Sequence, residues 1–127
     1  MINKVINTKG APEALGTYSQ GIRAGDFIYA SGQIPVDPHS GNLKIGDIKV
    51  EARQVLDNLD AVLRAGGSSL RSAVKLTVFF TDLSYLPDLN EVFKEYFPKN
   101  PPARSTIQVN ALPMGVQIEI EAVGSME

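Results

Sequence analysis

The chain has 127 residues, no cysteine, one histidine and a formal net charge of −2 from 14 acidic and 12 basic side chains. Its length and its hydrophobic content of 43% predict one globular domain that spans residues 1–127. These counts exclude a disulfide framework, a thiolate nucleophile and a His-rich or thiolate metal site, and the scattered lysines and arginines predict no binding of nucleic acid.

The first clear element is a strand followed by a turn. Residues 27–31 are apolar on both faces and rich in β-forming side chains, which predicts a buried strand that ends at Gly32. Residues 37–41 have the composition of a turn. This turn places His39, the single histidine, in a solvated loop; a role in a functional site is the alternative.

A helix and a second strand come next. Between residues 51 and 65, apolar side chains recur at the i, i+3, i+4 and i+7 spacing of an amphipathic helix. The pair Gly66-Gly67 predicts a left-handed stop at its C-terminal end. Residues 73–82 return to a period of two, which predicts a strand whose alternate side chains face opposite sides of a sheet.

A second helix and two strands complete the chain. Ser84 is predicted to cap this helix, Pro87 is tolerated in its first turn, and the prolines from Pro98 onward end it. Strands are predicted over residues 104–110 and 116–123. The order strands, helix, strand, helix, strands predicts an α+β fold with two helices on one face of a mixed β-sheet.

Two helices cover one face of such a sheet and leave the other face open. The strand at 27–31 is apolar on both sides, and Phe79 points away from Phe80. We infer that a second chain covers the open face. The alternative is a monomer with a few exposed apolar side chains, which protein surfaces tolerate.

The sequence predicts neither a membrane span nor export. No apolar stretch approaches the roughly 20 residues of a membrane-spanning helix. Residues 1–7 lack the apolar segment of a signal peptide. The expected location is therefore the cytoplasm.

Candidate site residues gather near the C-terminal end of the sequence. Two prolines lead to Arg104 at the start of a strand, and a guanidinium there suits the two-pronged binding of a carboxylate. Glu119 and Glu121 lie two residues apart on the last strand, so they face the same side. From this pattern alone, the simpler interpretation is a structural ion pair for Arg104 and a solvent-facing row for the two glutamates.

A resemblance to a known family changes that interpretation. Pro102-Ala103-Arg104-Ser105, followed by Ile118-Glu119-Ile120-Glu121-Ala122, is similar to the signature of the RidA (YjgF-like) family of reactive-intermediate deaminases. Further matching segments are Gly16-Thr17-Tyr18-Ser19-Gln20-Gly21, Ser31-Gly32-Gln33-Ile34-Pro35, Gln54-Val55-Leu56-Asp57-Asn58-Leu59 and Val74-Lys75-Leu76-Thr77-Val78-Phe79. Each segment alone is weak, but their order and spacing from about Ala11 to Ala122 make the resemblance specific.

The resemblance implies a chorismate-mutase-like α+β fold, a homotrimer and sites in the clefts between subunits. The activity that it implies is hydrolysis of 2-imino acids or their enamine tautomers, such as 2-iminobutanoate and 2-iminopropanoate, to 2-oxo acids and ammonia. It implies no cofactor and no metal. An iminium carbon is already electrophilic, so the protein needs only to hold a small anion, position a water and manage one proton.

Carried over by position, the resemblance implies roles for individual residues. Arg104 would bind the substrate carboxylate, and Glu119 would assist water attack and proton transfer. Five further residues would line the cleft: Tyr18, Ser31, Gly32, Asn90 and Thr106. Each of these also has a simpler structural interpretation, as a packing aromatic, a strand-ending turn or a polar surface residue, and Glu121 is expected to be structural or solvent-facing.

Two positions depart from the common family pattern. Thr106 stands where relatives often have Cys, so any thiol role is lost although the backbone N–H is kept. Thr17 replaces a frequent Pro before Tyr18, which predicts a less rigid loop.

Two other functions stay open from the sequence. A non-enzymatic protein could use the same cleft to bind 2-oxo or 2-imino acids, or could regulate a partner. An endoribonuclease or translation inhibitor is also claimed for relatives, but the negative net charge, the missing basic patch and the lack of a catalytic histidine count against it.

Overall fold

The structure, a computed structural model, describes residues 3–127; residues 1 and 2 of the N-terminal segment considered above lie outside this range. The strands are β1 (Lys4–Ile6), β2 (Gly21–Ala24), β3 (Phe27–Gln33), β4 (Ala73–Phe80), β5 (Ala103–Gln108) and β6 (Ile118–Ser125). The helices are α1 (Ile48–Ala65) and α2 (Leu86–Tyr96). In the part of the chain that is described, neither helix is long and apolar enough to cross a membrane.

The six strands form one mixed sheet in the order β1-β2-β3-β6-β4-β5. Every neighbouring pair is antiparallel except β4 and β5, which run parallel because the chain crosses over through α2 between them. Both helices contribute to the single apolar core on one side of this sheet. The predicted α+β architecture, with two helices on one face of a mixed sheet, is confirmed.

The core lies between the helices and the sheet. On β4, Leu76, Val78 and Phe80 are fully buried, whereas the residues between them are only partly buried, so the predicted alternation is confirmed. On α1 the predicted apolar stripe, which includes Leu59 and Val62, is fully buried against the sheet. Burial of these side chains supplies the main driving force for folding.

Helix α1 begins three residues before the predicted start. The side chain of Asp47 caps it by accepting the Lys49 N–H at 2.9 Å, which satisfies a donor that the helix itself leaves free. At the other end Gly67 adopts φ 98°, and the Ser68 N–H reaches back to the Leu63 carbonyl at 2.9 Å. The predicted glycine stop is therefore confirmed.

Helix α2 is capped differently from the prediction. Asp82 accepts the Ser84 N–H at 2.8 Å and starts a short 3₁₀ turn over Leu83–Tyr85, and α2 follows directly from that turn. Ser84 lies inside that turn, and the residue directly before α2 is Tyr85, whose side chain makes no capping hydrogen bond, so the prediction of Ser84 as the cap is wrong. An exposed aspartate and an exposed serine both suit this role, and only the backbone path separates them.

The face of the sheet opposite the helices carries several apolar side chains. Phe27 and Tyr29 on β3 and Ile107 on β5 are 41%, 50% and 44% exposed. Phe79 on β4 lies in register with Ile107 and so shares this face. We call this surface the open face.

Candidate active site

Arg104 lies at the sheet edge, on the same side as the helices. Strand β5 is the edge strand, and its parallel register places Arg104 beside Leu76, whose side chain points into the core. The Arg104 side chain therefore meets α2. Its Nη1 donates to Asn90 Oδ1 at 3.1 Å, and its guanidinium carbon lies 5.1 Å from the centre of the Phe93 ring. These three residues form what we call the arginine cluster.

Among residues 3–127 the guanidinium of Arg104 has no ionic partner. None of the ion pairs among residues 3–127 includes it, and partial burial lowers its pKa from the ordinary arginine value. A cleft of about 440 Å³ opens beside it, lined by Asn90, Phe93, Lys94, Phe97, Pro101, Pro102 and Arg104. A partly desolvated guanidinium without an anion suits the binding of a carboxylate, so this cleft is a candidate site for one.

A backbone donor lies beside this cation. Thr106 follows Arg104 by two residues on β5 and shares its face. The Val109 N–H donates to the Phe80 carbonyl at 2.8 Å and so points toward β4. Along a strand the main-chain N–H groups point alternately to its two sides. The Thr106 N–H, three residues earlier, therefore points away from β4, to the free edge of the sheet. The edge can therefore offer a carboxylate both a guanidinium and a main-chain N–H.

Glu119 lies on the open face. It pairs with Phe79 across β4 and β6, and the residues on either side of it, Ile118 and Ile120, point into the core. Its carboxylate lies directly over Gly32, where a Cβ atom would come within 2.0 Å of Glu119 Oε2. A shift in register between Ala30 and Gln33 allows β3 to pass beneath this carboxylate. Glu119 and Gly32 form the glutamate cluster.

The strand β3 is longer than predicted because of this irregularity. The sequence predicts that it ends at Gly32, yet pairing with β6 resumes at Gln33, opposite Ile120. Gly32 is thus a residue within the strand and not a turn. The physical reason for glycine here is space, since any side chain would displace the Glu119 carboxylate.

The proton affinity of Glu119 is increased by its surroundings. Partial burial raises the pKa of Glu119 above the ordinary glutamate range, and the nearby negative charge of Glu121 raises it further. Glu121 itself is exposed on the same face. A carboxyl group with a raised pKa takes up a proton more readily than an ordinary glutamate, so it can accept a proton and pass it on to a substrate.

Tyr18 lies beside the glutamate cluster on an exposed loop. Together with Gly32 it lines a second cleft of about 490 Å³, whose walls also include Leu15, Ile34 and Met114. The Tyr18 side chain is 55% exposed. The structure thus brings Tyr18 and Gly32 into one cleft, while the contact of either residue with a substrate stays a prediction.

Ser31 has both of its protons in use within the chain. Its hydroxyl donates to the Ser19 carbonyl at 2.6 Å, and its N–H donates to the Gln20 carbonyl at 2.9 Å. These two bonds attach Ser19 and Gln20, at the end of the Tyr18 loop, to Ser31. Neither proton is left for a substrate, whereas its hydroxyl oxygen can still accept a hydrogen bond.

The two clusters do not meet within one chain. Arg104 projects to the helix side of the sheet edge, and Glu119 projects from the open face, with β4 between their strands. One chain thus brings Arg104 together with Asn90, and Glu119 together with Gly32 and the Tyr18 loop, but it does not join the two groups. The sequence predicts all of these residues without predicting this separation.

Two further side chains were not predicted for the site. Phe93 is a buried residue of α2, and the Arg104 guanidinium lies over its ring. Its position three residues after Asn90, on the same face of the helix, is the signal that could have found it. Gln20 was noted only as part of a matching segment, and its side chain anchors the Tyr18 loop.

His39 lies in the exposed turn that the sequence predicts, where its N–H donates to Asp37 Oδ1 at 2.8 Å. It is not among the residues that line the two clefts described above. Across residues 3–127 no group of three histidine, aspartate or glutamate side chains is arranged to hold a metal ion.

Comparison with known proteins gives matches over nearly the whole chain. Residues 8–126 match the family model described as Endoribonuclease L-PSP. RutC family protein PH0854 from Pyrococcus horikoshii is 46% identical over 126 residues, which cover 99% of this chain and 100% of that protein. The 2-iminobutanoate/2-iminopropanoate deaminase of Rattus norvegicus is 47% identical over 123 residues, which cover 97% of this chain and 90% of that protein.

The fold matches solved structures equally well. RidA from an Antarctic Psychrobacter species superimposes with a TM-score of 0.93 and 43% identity, covering 97% of this chain and 99% of that one. The mixed sheet with two helices on one face is therefore the α+β architecture of Rid proteins. The chain belongs to the RidA (YjgF-like) family, as the matching segments in its sequence predict.

Proposed function

We propose that the chain hydrolyses 2-imino acids, such as 2-iminobutanoate and 2-iminopropanoate, to 2-oxo acids and ammonia, in a site that two copies of a homotrimer complete. The observation that carries this proposal is the Arg104 guanidinium, which is partly buried over Phe93, oriented by Asn90 and free of any ionic partner among the described residues. The deaminase name of the rat relative supports the choice of reaction.

Arg104 would bind the substrate through its carboxylate. Asn90 Oδ1 accepts one of the five N–H groups of the guanidinium and sets its plane, so that the others can form two parallel bonds to carboxylate oxygens. The Thr106 N–H at the free sheet edge would add a third donor. This arrangement fixes the position of a small 2-imino acid before any bond changes.

Hydrolysis would then proceed by addition of water to C2 of the protonated imine. The C–O bond forms as the C=N π electrons move to nitrogen, and Glu119 takes a proton from the water and delivers it to that nitrogen. The C–N bond then breaks, ammonia leaves, and the hydroxyl proton is lost as the C=O bond forms. The raised pKa of Glu119 suits this exchange, because the group can carry the transferred proton.

A second copy is required because the two clusters face opposite sides of one sheet. The arginine cluster of one chain would lie against the glutamate cluster of the next, in a head-to-tail contact that closes into a ring. The apolar side chains of the open face, Phe27, Tyr29 and Ile107, would be buried by such a contact.

The test is competition for 2-iminobutanoate between the protein and semicarbazide, with the imine produced in place by a threonine dehydratase. The native chain should divert the imine from the trap, and Arg104→Ala should lose at least about 30-fold in kcat/KM, because a charge-assisted pair of bonds is removed. Arg71→Ala, which removes an exposed arginine elsewhere, is the matched control and should behave as the native chain does. Failure of the native chain to compete would refute the proposed activity.

The description of the family model makes RNA cleavage a second candidate. The net charge of −2 and the scattered basic residues oppose it, since RNA binding depends on a concentrated positive surface. Salt-sensitive cleavage of single-stranded RNA that stays with the protein through purification would support it. Saturable binding of 2-oxobutanoate without imine turnover would instead favour a metabolite-binding protein.

A further inference from the structure

We propose that Gln20 is a positioning residue, whose buried side-chain amide sets the place of Tyr18 in the glutamate half of the site. This inference rests on the proposed function, because it assigns Tyr18 to the reacting cleft. Gln20 lines the same cleft as Tyr18 and Gly32, but its side-chain amide bonds to the main chain of the preceding loop, so it acts through the loop that Tyr18 occupies.

The Gln20 side chain forms hydrogen bonds with several main-chain groups of the preceding loop. It is 2% exposed. Its Oε1 accepts the Thr8 N–H at 2.7 Å, and its Nε2 lies 3.0 Å from the Thr8 carbonyl, 3.3 Å from the Ala11 carbonyl and 2.8 Å from the Pro12 carbonyl. One amide group thus satisfies four main-chain groups that lie 8 to 12 residues earlier in the chain.

Hydrogen bonds hold the segment that carries Tyr18 at its two ends. At one end Gln20 holds the Pro12 carbonyl, and at the other Ser31 holds the Ser19 carbonyl. Within the described chain, residues 13–18 take part in no hydrogen bond, and five of these six residues are exposed. The place of Tyr18 therefore depends on the two anchors.

Loss of the Gln20 anchor should redirect the loop without unfolding the protein. Ala11 is 3% exposed and packs in the apolar core, so the start of the loop stays attached when the amide is changed. The hydrogen bonds of the Gln20 amide fix the orientation of the loop backbone, which apolar packing alone constrains less.

Gln20→Glu is the sharpest change because it preserves size. An ionised carboxylate can still accept the Thr8 N–H, but it cannot donate to the three carbonyls and repels them. We expect roughly tenfold or greater loss of kcat/KM for 2-iminobutanoate, since a small displacement of a positioned group costs this much. Ser68→Ala, which removes a buried hydroxyl bond of 2.6 Å to the Ser125 carbonyl far along the chain, controls for general destabilisation.

A double-mutant cycle separates positioning from a structural effect. If Gln20 acts through Tyr18, Gln20→Glu should lower kcat/KM by less than about twofold in a Tyr18→Ala background. An equal loss in both backgrounds would overturn the inference, and so would unchanged turnover in Gln20→Glu alone.

A second measurement does not require any enzymatic activity. Lys9 lies in the exposed start of the loop, between residues that Gln20 holds. Trypsin should cleave after Lys9 several-fold faster in Gln20→Glu than in the native chain or in Ser68→Ala, with the rate after the exposed Lys99 unchanged. Equal cleavage after Lys9 in all three proteins would overturn the anchoring role. If the native chain has no deaminase activity but Gln20→Glu is still cleaved faster, the anchoring role is upheld and only the proposed function is refuted.

Discussion

Arg104 and Glu119 project from opposite faces of the same sheet, on strands that β4 separates. The register explains this arrangement. Arg104 pairs with Leu76, which faces the core, and Glu119 pairs with Phe79, which faces away from it. Under the proposed function, a cleft that contains both residues therefore takes them from two copies of the chain.

Mixing two inactive variants should restore activity. Arg104→Ala supplies an intact glutamate cluster, and Glu119→Gln supplies an intact arginine cluster. In a closed ring assembled from equal amounts of the two, about a quarter of the clefts would contain both native groups. We expect imine hydrolysis near that fraction of the native rate after joint refolding, measured with the semicarbazide trap.

The controls for mixing are each variant refolded alone and both mixed without refolding. Activity only after joint refolding would place the two groups on different copies. A mixture as inactive as its components, despite native-like size in sedimentation, would contradict a shared site.

The pH dependence of hydrolysis should report the environment of Glu119. Its raised pKa keeps the carboxyl protonated above the ordinary glutamate value of about 4.3, and the proton is lost as the pH rises through the raised pKa. Because Glu119 first takes a proton from the attacking water, its ionised form is the active one, and kcat/KM should rise over that range. Glu121→Gln removes a negative neighbour, lowers the pKa of Glu119 and should move the rise to lower pH.

Glu119→Gln should abolish this pH dependence of kcat/KM, after correction for uncatalysed hydrolysis of the imine. If the change in kcat/KM stays at the same pH in Glu121→Gln, or moves to higher pH, Glu119 is not the titrating group.

Gly32→Ala should remove activity with little loss of stability. The added methyl group would come within 2.0 Å of Glu119 Oε2, so the flexible carboxylate must move away. The backbone at Gly32 is not among the positive-φ positions, so alanine is not strained there. We expect kcat/KM close to that of Glu119→Gln and a melting temperature within a few degrees of native.

The control for Gly32→Ala is the same change in a Glu119→Ala background, where the space is empty. There the alanine should have no further effect on kcat/KM. A Gly32→Ala protein with native turnover would show that the carboxylate does not act from its place over Gly32.

Stability should depend on a buried glutamate that takes no part in the proposed chemistry. Glu51 is fully buried and accepts the Gly46 N–H at 3.1 Å and the Gln117 N–H at 3.2 Å. Glu51→Ala removes the acceptor of both N–H groups, of which only the exposed Gly46 N–H can turn to water, and should lower the free energy of unfolding by about 1–3 kcal/mol. Urea denaturation at one fixed protein concentration measures this, because association contributes to apparent stability.

Glu91→Ala is the matched control for Glu51. Glu91 is exposed and pairs with Lys49 across the two helices, and an exposed ion pair contributes less than about 1 kcal/mol. Equal losses for the two variants would contradict the role assigned to the buried carboxylate.

The long periodic elements were predictable from the sequence because their signals are local. Helix α1 and strand β4 each show a sustained period of apolar residues, and the structure contains both close to the predicted bounds. Strands β1 and β2 were not predicted individually, since three and four residues are too short to establish a period.

The candidate site was predictable as a set of residues but not as an arrangement. The resemblance named Arg104 and Glu119, and each lies on a strand near its predicted place. Which face each occupies depends on the pairing of β4 with β5 and β6, which joins parts of the chain distant in sequence. Neither the period of the apolar residues nor the composition of the sequence determines that register.

Strand β6 is the last element in the chain, yet it lies inside the sheet. It is the one strand that joins β1-β2-β3 to β4-β5 in the described sheet. During synthesis, therefore, both halves of the sheet leave the ribosome before the strand that connects them. We expect the sheet to close, and Glu119 to reach Gly32, only after β6 has left the ribosome.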